Sequence, residues 1–89
     1  MSLEARIVNF ELGGKRQYPD RVIIEIEGVK SLAEAMRFIN KKVVWITPTG
    51  KKIIGKIRRP HGRKGKLLAV FRKGLPGQAL GTKVLIIGS

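Results

Sequence analysis

From Arg58 to Lys66 the chain reads Arg-Arg-Pro-His-Gly-Arg-Lys-Gly-Lys, with five cations in nine residues, two glycines among them and no carboxylate. That combination suits phosphate chemistry. A guanidinium is a planar fork matched to phosphate oxygens, and glycines let a loop backbone come close to the anion, so the segment reads as a phosphate-contacting finger. An isolated basic loop is usually only a solvated one. Here the remainder of the chain decides against that reading. Glu34 is the last acidic residue, and the fourteen Lys and Arg beyond it have nothing negative to balance them, whereas the first 34 residues hold all six carboxylates against five cations. A formal charge of +13 on 89 residues repels itself in a compact state and is best understood if a polyanion neutralises it, with nucleic acid the first partner to consider.

Other chemistries find little support. His61 is the only histidine and there is no cysteine, so neither a metal site, a catalytic triad nor a disulfide can be assembled. His61 is counted only as a member of the basic loop. A paired-carboxylate mechanism would have to draw on residues before position 35, where Glu25 and Glu27 share a strand face of the kind usually left in water. The glycine-rich segment 74–81 lacks the Gly-Lys-Ser/Thr of a phosphate-binding P-loop. The expectation is therefore a binding protein, not an enzyme, with no cofactor. No apolar stretch approaches the ~20 residues that span a bilayer, and the N-terminus, with Glu4 and no apolar core segment, does not resemble a signal peptide. A membrane-surface binder would need a basic amphipathic helix, and the one helix expected here carries only Arg37 beside Glu34. These points lead to the expectation of a soluble cytosolic protein with no membrane partner.

The elements that must position the basic loop are mostly strands. An apolar fraction of 43% on 89 residues is enough for one small core and one domain, residues 1–89. Residues 3–12 alternate Ala5, Ile7 and Asn9 against Arg6, Val8 and Phe10, which predicts a first strand ending at Gly13-Gly14. A loop through Lys15, Arg16, Tyr18 and Pro19 follows, with Tyr18 a candidate for stacking on a base. Residues 21–27 place Val22, Ile24 and Ile26 on one face of a second strand. Ser31 and Glu34 have the spacing of a capping box, so a short helix should follow, with Leu32, Ala35, Met36 and Ile39 as its apolar stripe and Asn40, Lys41 and Lys42 as its stop.

From residue 42 the period returns to two. Residues 42–48 and 51–59 read as a hairpin turning at Thr49-Gly50, with Val43, Trp45 and Thr47 on one face and Ile53, Gly55 and Ile57 inward on the return. Lys52, Lys56 and Arg58 then point outward. The basic loop leads into 66–72, where Leu67, Ala69 and Phe71 face the core and alternate with Lys66, Leu68, Val70 and Arg72. Residues 74–81 should form an ordered loop before a last strand, 82–88. A glycine within a strand, Gly55 above all, marks a place where the sheet bends sharply or another backbone comes close. Several short strands and one helix point to a small antiparallel β-barrel closed by the first strand, the two hairpins and the last strand, since closure removes exposed edges. An open sheet covered by the helix is the alternative.

Residues 55–84 carry a more specific pattern: Gly-Lys-Ile-Arg-Arg-Pro-His-Gly, then Gly65, Ala69 and Phe71, then Leu-Pro-Gly-Gln-Ala-Leu-Gly with Val84. With the preceding Trp-Ile-Thr-Pro-Thr-Gly-Lys-Lys-Ile-Ile-Gly, this resembles the ribosomal protein family L35Ae of the archaeal and eukaryotic large subunit. The resemblance spans roughly residues 1–88 and is weaker before position 40. It implies a translation-factor-like barrel that binds ribosomal RNA directly in the cytoplasmic ribosome, with Lys56, Arg58, Arg59, His61, Arg63 and Lys64 facing RNA and Gly62 and Gly65 shaping the loop. Leu68 departs from it, standing where the family often has Arg.

The full set of residues expected to contact RNA is Lys52, Lys56, Arg58, Arg59, His61, Gly62, Arg63, Lys64, Gly65, Lys66 and Arg72. The loop from Arg58 to Lys66 should be the main contact, poorly ordered until RNA fixes it. Expected partners are ribosomal RNA, neighbouring large-subunit proteins and potentially tRNA, for a protein that is monomeric when free. The competing function is a transient tRNA-binding or RNA-modification accessory barrel, which would share both charge and fold.

Overall fold

The computed structural model describes residues 2–10 and 20–87. The segment holding Lys15, Arg16 and Tyr18, and the last two residues assigned to the first strand, lie outside the described residues.

Alternating apolar residues produce six strands: β1 (Ser2–Phe10), β2 (Arg21–Ile26), β3 (Lys42–Ile46), β4 (Lys52–His61), β5 (Lys66–Phe71) and β6 (Lys83–Ile87). Each pairs antiparallel with two neighbours, in the closed order β1-β2-β5-β4-β3-β6. The predicted barrel is thus present, and β2 belongs to it as well, bridging β1 and β5. Val22, Ile24, Val43, Ile57, Leu67, Ala69 and Val84 point inward and are at most 1% exposed. Ile53, also placed inside by its parity, is only partly buried and packs at the core's margin.

Two bulges correct the simple alternation. In β1, Ile7 pairs with Ile24 but Asn9 pairs with Ile23, so Val8 is an extra residue. The face assignment reverses there: Asn9 turns to solvent and Phe10 packs against the core, the opposite of the predicted alternation. In β4, Ile57 pairs with Ala69 and Arg59 with Leu68, leaving Arg58 as the extra residue. The first hairpin also closes differently. Trp45 opposite Ile53 and Val43 opposite Gly55 require an odd loop, and Gly50 takes the left-handed conformation (φ 92°) at its end. The loop is held by the Thr47 amide donating to the Lys51 carbonyl at 2.7 Å and the Lys51 amide donating to Thr47 Oγ1 at 2.9 Å.

The helix is shorter than its apolar stripe suggested. Helix α1 covers Leu32–Ala35 and gives way to a 3-10 turn at Met36–Phe38. Ser31 caps it, accepting from the Glu34 amide at 3.3 Å, while the Glu34 carboxylate meets the Ser31 hydroxyl instead of the Ser31 amide. The barrel ends the helix: the Asn40 amide donates to the Ile57 carbonyl (2.8 Å) and the Ile57 amide to the Lys41 carbonyl (2.9 Å). These bonds pull the chain onto β4, with Asn40 at φ 70°. Ala35 is fully buried, but Leu32 and Met36 remain exposed.

Antiparallel connectivity puts α1 and the β4–β5 turn at one end of the barrel and the segment 72–82 at the other. There Leu75 and Ala79 are both 0% exposed and plug the mouth. Trp45 is core, 3% exposed, and its Nε1–H donates to Thr82 Oγ1 at 2.8 Å, with that hydroxyl donating in turn to the Ala79 carbonyl. Thr82→Val keeps the shape but leaves the indole N–H unpaired, so it should cost about 1–3 kcal/mol, read as a lowered midpoint of urea unfolding. An unchanged midpoint would show that water replaces the hydroxyl.

Candidate nucleic-acid interface

The hairpin β4–β5 carries the basic cluster, and its ladder runs further than the predicted loop allowed. Pairs Arg59–Leu68, Pro60–Leu67 and His61–Lys66 keep Arg58 to His61 in the sheet. The turn itself is only Gly62-Arg63-Lys64-Gly65, with Gly62 at φ 78° and Gly65 at φ 97°. The expected nine-residue loop is therefore a four-residue turn on a ten-residue strand.

The bulge at Arg58 decides what this strand displays. Without it, Arg59 would follow Ile57 into the core; with it, Arg58, Arg59 and His61 are all exposed on the outside. Lys66, opposite His61, shares their face, and the Arg63 and Lys64 side chains stand free at the tip.

Gly65 anchors the turn. It is buried, and a Cβ there would run into the Val29 carbonyl oxygen and lie 2.8 Å from the Val29 carbonyl carbon, so the turn rests directly on the backbone that leads into α1. This contact brings exposed Lys30 beside the hairpin. Gly65→Ala should displace the turn and weaken RNA binding while the barrel still folds. RNA affinity equal to that of the parent would show that the turn's position is immaterial.

Not every predicted residue gathers here. Nine strand rises of ~3.3 Å put Lys52 ~30 Å from His61 along β4, and Arg72 lies beside Ile54 at that far end, its amide donating to the Ile54 carbonyl at 2.9 Å. Lys56 occupies the middle, directly opposite Lys42. Lys42 opens β3, as the strand 42–48 predicted, and faces out; its place in the basic surface could have been read from the inward parity of Val43 and Trp45. Lys41 sits beside the Arg58 bulge through its carbonyl bond to Ile57. Lys30 gave no sequence signal, since it arrives by a long-range backbone contact. Leu68 is not available to an RNA: it is 3% exposed, paired on the outer face with Ile23, itself 4% exposed.

The charge asymmetry along the chain becomes one across the barrel. Glu4 and Glu25 stand on the outer face of β1 and β2, Glu27 just beyond β2, with Glu4 3.4 Å from Lys83. β3 and β4 lie on the opposite wall and carry no carboxylate. A field of one sign over a strand-built surface can hold a phosphate backbone.

This barrel, with its basic β4–β5 hairpin, is matched over residues 1–87 by the family model described as ribosomal protein L35Ae. The chain belongs to the ribosomal protein L35Ae family. Its relatives include large ribosomal subunit protein eL33 of Methanopyrus kandleri, 49% identical over 81 residues and 90% of each chain. The eL33 of Dictyostelium discoideum is 33% identical over 91% of this chain and 86% of its own. That of Candida albicans is 32% identical over 78% and 72%. The L35Ae family is one of ribosomal proteins, not enzymes.

Proposed function

We propose that this chain is a structural constituent of the large subunit of the cytoplasmic ribosome, holding ribosomal RNA by neutralising phosphates along β4–β5. The observation that carries this reading is the bulge-assisted display of Arg58, Arg59 and His61 next to the Arg63–Lys64 tip, on a wall of the barrel without carboxylates. The main contact is the end of the barrel where Lys30, Lys41 and the hairpin converge. Lys52 and Arg72 form a separate, outlying basic patch at the other end. The cations outnumber side chains suited to reading bases, so recognition is of backbone shape more than of sequence.

The logarithm of the association constant for ribosomal RNA should then fall linearly with the logarithm of salt concentration, with a slope of roughly −0.7 to −0.9 per phosphate neutralised. A salt-independent affinity would contradict the proposal. tRNA presents the same phosphates, and the assay distinguishes the two uses: a structural constituent stays with large subunits through a high-salt gradient, whereas a transient tRNA-binding module washes off. The free protein is proposed to be a monomer, because the closed barrel leaves no strand edge for a second copy and the net charge repels one. Its other partners are neighbouring proteins of the subunit.

A further inference from the structure

The outside of the barrel is not uniformly polar. Val44 pairs with Ile54 on one side and with Leu85 on the other, and all three face outward. Ile46 continues the row along β3 and Ile87 along β6. Ile46, Ile54 and Ile87 are 48%, 41% and 43% exposed, Leu85 is half-buried, and Val44 at the centre is 6% exposed. The result is a continuous aliphatic strip across β4, β3 and β6. Lys42 and Lys56 border it on one side and Lys52 and Lys83 on the other, with Glu4 opposite Leu85 and 3.4 Å from Lys83.

We propose that this strip docks an amphipathic segment of a neighbouring large-subunit protein, with aliphatic side chains bordered by carboxylates. The proposal rests on the assignment to the large subunit made above. Scattered exposed apolar residues need no explanation, but a contiguous patch with a charged border has the make-up of a protein interface: an apolar centre and a polar rim. The rim selects the partner. Lys83 is already paired with Glu4, but Lys42, Lys52 and Lys56 on the β3–β4 side call for carboxylates, and a second copy would set those three lysines against one another. RNA fits the strip poorly. Bases are seated on aromatic rings or guanidinium planes, none of which lies in the strip. Strand addition is closed off because the barrel has no free edge, so the segment must lie across the sheet face and engage side chains.

The test uses the protein assembled into large subunits. Photoreactive benzoylphenylalanine replaces Ile46 or Ile54 in separate variants, and Arg63 in a third. After irradiation, Ile46 and Ile54 should give nuclease-resistant crosslinks to one protein segment rich in aliphatic and acidic residues, and Arg63 should give nuclease-sensitive crosslinks to RNA. Crosslinks from the strip to RNA or to a second copy would overturn the proposal, as would their absence from both strip positions. Loss of the Arg63 crosslink alone would overturn the RNA reading and not this one. As a second measurement, Ile46→Asn/Ile54→Asn should leave the free protein's RNA affinity within twofold of the parent but reduce retention on subunits washed at high salt at least fivefold. Salt weakens phosphate contacts and spares apolar ones. Equal retention, or a parallel loss of RNA affinity, would refute the docking role.

Discussion

Truncation of Phe71 to alanine is expected to remove about 3–5 kcal/mol from the stability of the free protein, a large share of the ~5–15 kcal/mol available to a domain. Phe71 is 2% exposed and sits opposite Gly55 in the β4–β5 ladder. Its ring covers the glycine so closely that a Cβ on Gly55 would lie 2.8 Å from two ring carbons and 2.7 Å from the Val70 carbonyl oxygen. The aromatic ring thus occupies the space that the glycine leaves, and truncation opens a cavity on both strands. Gly55→Ala should also destabilise, by about 1–3 kcal/mol through overpacking. Because the two substitutions share one space, the double variant should lose less than the sum of the singles. Urea unfolding of the four proteins measures this. A near-neutral Phe71→Ala would put that face in solvent and undo the register, and strict additivity would separate the ring from the glycine.

The inward face of this hairpin was legible because Leu67, Ala69 and Phe71 share one parity while charged Lys66 and Arg72 flank them on the other, and one buried side fixes the parity of a strand. The bulges were not read, although each left a trace. Strict alternation placed Asn9 with Ile7 inside and Phe10 outside, and the same parity carried from Ile57 would have buried Arg59. An apolar run that ends by burying a polar residue is better satisfied by one inserted residue, which is what the chain does at Val8 and Arg58. Loop length was equally implicit. With Trp45 and Ile53 both inward, the two-residue turn at Thr49-Gly50 would have paired Trp45 with an outward residue, so only an odd loop is consistent. The helix stripe misled for a different reason. Leu32, Ala35, Met36 and Ile39 have helical spacing, but backbone bonds from residues 40 and 41 to Ile57 outweigh one further turn of a helix too short to be stable by itself. Nothing local announced the seat of Gly65 on Val29 or the arrival of Lys30, because each depends on how distant elements pack.

That packing seats the charge cluster against the backbone that leads into α1, which makes its removal informative. Replacing Arg58, Arg63 and Lys64 together with alanine should leave the unfolding midpoint close to the parent's, since all three side chains are exposed and none contributes to the core. RNA binding should respond strongly. Each lost phosphate contact removes roughly 0.7–0.9 from the salt slope, so three contacts flatten it by about two to three units. Measured from a 1 M reference, where the counterion term vanishes, that slope corresponds at 0.15 M salt to about a hundredfold loss of affinity. The loss should shrink as salt rises and nearly disappear at the reference, a signature that a folding defect would not produce. Restoring lysine at Arg58 and Arg63 should recover most of the slope but not all of the affinity, because an ammonium replaces the charge without the bidentate fork. If the triple variant binds ribosomal RNA with the parent's slope and enters large subunits equally well, the phosphate-binding surface lies away from this hairpin. Lys52 and Arg72 at the far end of β4 would then be the next residues to replace.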